Sequence, residues 1–115
     1  MKKNMKKWAE EILEKERKKA FPILSFPSIQ KMGISVRDLI SSSELQAQGM
    51  KIIADSADVL ASVSLMDLSV EAECFGSTIR FSDDEVPTVI GSVIRSEEEA
   101  ENLVVPEIGA GRTGI

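Results

Sequence analysis

Apolar residues recur along the chain in two different periods, and the change of period marks its elements. Met5, Trp8 and Ile12 form one stripe among lysines and glutamates, which predicts a helix over 4–19 that Pro22 stops. Ile23-Leu24-Ser25-Phe26 is a short apolar run closed by Pro27, the pattern of a buried strand. Ser35 is placed to cap a helical turn over 35–40. Ser43 and Gln46 have the spacing of a capping box, so a helix is predicted to open at Ser43. Its inner face holds Leu45, Gly49, Ile52, Ile53 and Ser56, with Gly49 allowing close packing. The run Val59 to Met66 is apolar except for two serines, as in a parallel strand covered on both faces. Strand, helix and strand together predict a βαβ unit and an α/β fold.

Downstream, Leu68 to Phe75 reads as a short helix ended by Gly76. Thr78–Phe81 and Thr88–Ile90 are predicted extended pieces, separated by the acidic turn Ser82-Asp83-Asp84-Glu85. Ser96 and Glu99 suggest a second capping box for a helix near 97–103. No repeat or low-complexity segment interrupts this order.

Composition narrows the chemistry. The 115 residues, 43% apolar and 29% charged, are ordinary for one globular domain. With no histidine and one cysteine, Cys74, the chain has no Ser-His or Cys-His pair, no internal disulfide and no conventional zinc site. Cys74 lies in an apolar stretch and reads as a small core residue. No apolar run is long enough for a bilayer, and the charged N-terminus lacks the apolar core of a secretory signal. A cytoplasmic location with no membrane contact is therefore expected.

Charge is uneven. Residues 1–20 carry eight Lys/Arg against four Glu, whereas the rest of the chain carries six against fifteen Asp/Glu. A basic arm suggests nucleic acid, but the acidic body repels phosphate and no aromatic residues alternate with basic ones as stacking platforms. The arm reads instead as a solvated amphipathic helix, and no nucleic-acid partner is expected. This divides the chain into an N-terminal helix, 1–20, and a body, 21–115.

Ligands of parallel α/β sheets gather beyond the C-terminal ends of the strands. That rule brings Ser28 and Gln30, after the first strand, beside Asp67, Ser69, Glu71 and Glu73, after the second. Asp67 is the sharpest candidate, with two compatible roles: cap of the following helix, or carboxylate facing a pocket. Glu71 and Glu73 diverge on a helix, so at most one is expected to join it. Near the end, Gly109-Ala110-Gly111-Arg112-Thr113-Gly114 fits G-x-G-x-x-G by letter, without the following helix that would hold a pyrophosphate.

Four stretches also carry a resemblance. Phe21-Pro22-Ile23-Leu24-Ser25-Phe26-Pro27-Ser28-Ile29-Gln30, Asp67 to Gly76, Phe81 to Ile90 and Gly109 to Thr113 resemble, in order and spacing, the uroporphyrinogen decarboxylase superfamily. Its corrinoid branch, the methylcobamide:coenzyme M methyltransferases, is the most similar. The resemblance implies the N-terminal portion of a (β/α)8 TIM barrel, which needs about 250 residues to close. It further implies methyl transfer from a methylated corrinoid protein to a small thiol such as coenzyme M, activated by a zinc ion held by a His-x-Cys pair and a later Cys. Those ligands belong to later strands of the family. This chain is expected to bind no cofactor, to be inactive alone and to self-associate through the free edges of its strands. On this reading Asp67 is catalytic, and Gln30, Ser69 and Glu71 bind substrate. A decarboxylase is the alternative: Asp67 matches the aspartate that those enzymes place after the second strand, but their arginine-rich segment after the first strand is replaced here by Ser25-Phe26-Pro27-Ser28-Ile29-Gln30. A third possibility is a non-catalytic α/β module that self-associates.

Overall fold

Several helices of this chain open on a single capping side chain. The computed structural model describes residues 2–107, 109 and 112. Helix α1 spans Met5–Glu14, and the Asn4 side chain accepts a hydrogen bond from the Lys7 N–H at 3.1 Å. It ends short of Lys19, the backbone turning extended at Lys15, and the Lys18 ammonium donates to the carbonyls of Ile12 and Lys15, at 3.0 and 2.7 Å. Such a cation satisfies carbonyls that the helix itself leaves unpaired. None of the α1 residues is buried.

The core lies among three helices: α2 (Ser28–Met32), α3 (Val36–Ile40) and α4 (Ser43–Ser56). Ser35 caps α3 in a reciprocal box with Asp38. The cap of α4 is Ser42, whose hydroxyl accepts from the Leu45 N–H at 3.3 Å. Ser43 is thus the first helical residue, and the predicted box is displaced by one position. Val36, Leu39, Ile40 and Ile53 are the buried apolar residues of the described chain. Gly49 is where α4 meets α2. A Cβ there would stand 2.5 Å from Ser28 Oγ and 3.4 Å from Leu39 Cδ1. Ser28 has no room to move away, since it is fully buried and its hydroxyl donates to the Ser25 carbonyl at 2.7 Å.

The overpacking penalty of about 1–3 kcal/mol therefore competes with a helix-propensity gain of about 1 kcal/mol from removing glycine. Gly49→Ala is expected to be destabilising, and Ser28→Ala in the same chain to recover part of the loss. A double-mutant cycle by denaturant unfolding checks this. Simple additivity would show that the contact is not felt.

The predicted parallel βαβ unit is not formed among the described residues. Residues 23–26 and 59–66 adopt no regular ladder. Their approaches are tied by one backbone bond, Leu60 N–H to the Ala20 carbonyl at 2.8 Å, and by an ion pair between Lys19 and Asp58. A parallel sheet needs cover on both faces, and here Ile23 and Met66 are more than half exposed. The sheet that does form is an antiparallel pair, β1 (Thr78–Arg80) with β2 (Thr88–Ile90), in the register Thr78↔Ile90, Ile79↔Val89, Arg80↔Thr88. Its turn docks on α3: the Val36 N–H donates to the Asp83 carbonyl at 2.8 Å, and Arg37 reaches the Asp83 carboxylate at 3.3 Å.

Two short helices complete the order. Helix α5 (Val70–Cys74) starts later than the predicted Leu68, and its chain is turned by Gly76 at φ 88°. Helix α6 (Glu97–Glu101) is capped by Ser96, while the Glu99 carboxylate accepts from the Arg95 N–H rather than closing a box on Ser96. The molecule is thus a mixed α/β structure. No helix among the described residues is long and apolar enough to cross a membrane.

Candidate functional site

The segment that leads out of residues 59–66 delivers Asp67 to the start of α5. Its Oδ1 accepts from the Ser69 N–H at 2.9 Å and from the Ser69 hydroxyl at 2.6 Å. That turn is built from a side chain imitating a backbone carbonyl. The opposite oxygen, Oδ2, pairs with Arg112. The same guanidinium donates to Glu73 Oε2 at 2.7 Å and to Ser69 Oγ at 2.7 Å, and sits 4.8 Å from the centre of the Phe81 ring. Three nitrogens therefore reach three acceptors, as only arginine's planar fork allows. The side chains of Asp67 and Arg112 are 8% and 9% exposed, so this pairing is not a solvated surface contact.

Two cavities open on Asp67. The larger, about 330 Å³, has polar walls from Gln46, Asp67, Glu71 and Arg112 and apolar ones including Ile40, Leu65 and Leu68. The other, about 270 Å³, is lined by Phe26, Met66, Asp67, Leu68, Val86 and Pro87. Each of the four stretches that carry the family resemblance thus supplies a wall residue: Phe26, Asp67, Val86 and Arg112.

Asp67 and Ser69 stand at the centre of the arrangement, and Glu71 lines the larger cavity. Gln30 does not join them. It is exposed on α2 and lines neither cavity, because the expected parallel strands that would have aligned the two segments are absent. Asp67 does not cap the following helix: α5 opens at Val70 with Ser69 in the cap position and no side-chain cap bond, and the Asp67 carboxylate instead holds Ser69 in the turn before it while lining both cavities. Glu71 and Glu73 diverge on α5 as their spacing requires, yet Arg112 ties Glu73 back to Asp67. Cys74 is half-buried, with its Sγ 4.0 Å from the Glu107 carbonyl. Sequence reasoning missed Arg112 as the partner of Asp67, and with it the Phe81 ring against the guanidinium and the bridge to Glu73. The available signal was the presence of Arg112 inside a resembling stretch. The G-x-G-x-x-G letters lie mostly outside the described residues.

Burial pushes the Asp67 carboxyl up, but the Ser69 hydroxyl and N–H bonds, followed by the bond and charge of Arg112, outweigh it and hold the carboxyl below its ordinary value of 3.8. Burial likewise disfavours the charged form of Arg112. Its bonds to Asp67 and Glu73 outweigh that and raise it further above the physiological range. For Asp67, a folded value below the unfolded one means that the ionised carboxylate stabilises the fold. That stabilisation is fully present above about pH 3.8 and is lost as pH falls through the lower folded value. Acid unfolding of the Asp67→Asn chain is expected to lack this component. Identical acid limbs in the two chains would contradict the arrangement.

Among the described residues no group of three His, Cys, Asp or Glu is placed to hold a metal ion. No family model, curated protein sequence or solved structure matches the chain.

Proposed function

We propose that the chain is the N-terminal part of a cytoplasmic (β/α)8 barrel of the uroporphyrinogen decarboxylase superfamily. Within it the corrinoid-linked methyltransferase branch is favoured, with a methylated corrinoid protein and a small thiol as reaction partners. The observation that carries this reading is the convergence on Asp67 of wall residues from all four resembling stretches, although they are far apart in sequence. In such barrels the catalytic end is built from segments that follow the strands, and Asp67 follows directly on the apolar run 59–66. On this reading Asp67 touches the substrate, Ser69 fixes the carboxylate, and Glu71 offers a second acceptor from the cavity wall. Gln30 is left out. The zinc ligands come from residues beyond these, and no step through the metal is assigned to this chain.

The chain's exposed apolar surface supports an assembly role as well. Leu68, Val104 and Val105 are about four-fifths exposed, and the radius of gyration is 18.1 Å where a compact domain of this length has about 13 Å. Exposed apolar area of this kind calls for cover. Light scattering of the 115-residue chain is expected to show a dimer or larger species, and a dilute monomer with a cooperative transition would oppose self-association.

The functional test is transfer of a labelled methyl group from a methylated corrinoid protein to a thiol by the native-length protein, with tetrapyrrole decarboxylation assayed in parallel. Methyl transfer supports the reading. Decarboxylation alone would move the chain to the other branch of the superfamily, and neither activity would overturn both.

A further inference from the structure

We propose that Arg112 is the positioning residue of this site: its guanidinium closes a ring of hydrogen bonds with Asp67 and Ser69 that aims the Asp67 carboxylate at the cavities. The ring is complete. Arg112 donates to Asp67 Oδ2 and, through another nitrogen, to Ser69 Oγ, and Ser69 Oγ in turn donates to Asp67 Oδ1. Glu73 and the Phe81 ring hold the guanidinium from its two other sides. A carboxylate has about four lone-pair sites. Among the described residues the Ser69 N–H, the Ser69 hydroxyl and Arg112 occupy three.

Charge gives the ring a second consequence. Asp67 and Glu73 share one cation at α5. Without Arg112, the burial that already acts against the ionised form of Asp67 would lose one of its counterweights. A lysine could supply the charge but not three divergent donors in one plane. Arg112 is thereby assigned to act through Asp67. The inference rests on the reading that Asp67 faces a ligand, so its test is made on the carboxyl itself.

The Asp67 side-chain carboxyl is followed by carbon NMR through a pH titration of the full chain. In Arg112→Ala the midpoint is expected to rise by about one pH unit or more. Added guanidinium chloride is expected to restore it saturably, and sodium chloride at equal ionic strength is not. Arg112→Lys is expected to lie between wild type and alanine. An unchanged midpoint in Arg112→Ala, or rescue equal with both salts, would overturn the proposal. If the alanine chain does not fold, the lysine chain decides: a wild-type midpoint there would show that a point charge suffices. Guanidinium rescue in a native-length protein that transfers no methyl group would leave the positioning role standing and remove the functional reading.

Discussion

Leu39→Ala is expected to abolish the cooperative unfolding transition of this chain. Leu39 is 1% exposed and stands with Val36, Ile40 and Ile53 as the buried apolar set of the described residues. Truncating a buried leucine costs about 2–5 kcal/mol through lost transfer energy and the cavity left behind. Whole domains are stable by only about 5–15 kcal/mol, and a core this small belongs at the lower end. Leu39 also touches the α2–α4 contact at Gly49, so its loss loosens three helices at once. Circular dichroism through a denaturant series reads the result. Leu13→Ala, at a residue 75% exposed on α1, is the control and is expected to change stability by no more than about 0.5 kcal/mol. A sharp, unshifted transition in Leu39→Ala would place the core elsewhere.

On the proposed reading that Asp67 touches the substrate, Asp67→Asn in the native-length protein is expected to lower turnover by about 100-fold or more, the size of effect that removing one preorganised polar contact to a reacting group produces. The amide still accepts from Ser69, and Arg112 keeps Glu73. The cost in stability is therefore expected to stay near that of one charge-assisted hydrogen bond, about 1.5–3 kcal/mol. The comparison of rate with stability separates the two roles of this side chain. If the substitution melts the protein but leaves the surviving fraction fully active, Asp67 only turns the chain into α5.

Local features were legible in the sequence where one residue type has one physical use. Ser35 and Ser96 cap the helices that follow them, Gly49 marks the closest helix contact, and Gly76 takes the left-handed turn after α5. The extended pieces at 78–81 and 88–90 were legible too, and they pair across the acidic turn between them. The apolar runs 23–26 and 59–66 have the composition of strands buried on both faces, and in this chain they form no ladder because the described residues do not supply the layers that would cover them. Ser43 and Gln46 fit a box by spacing, but Ser42 is equally suited to cap and sits one residue earlier. At the site, Asp67 stood out because a carboxylate ends an apolar run. Arg112 did not, since it lies 45 residues from Asp67 and 39 from Glu73, and no local period connects them.

The central claim is that the stretches converging on Asp67 are the N-terminal part of a barrel, and a diffraction structure of the native-length protein tests it most directly. Residues 23–26 and 59–66 are expected there as neighbouring parallel strands of a closed barrel, with Asp67 at its C-terminal mouth and the Arg112 guanidinium against its carboxylate. A structure in which those two runs lie apart, or in which Asp67 faces away from the mouth, would contradict it.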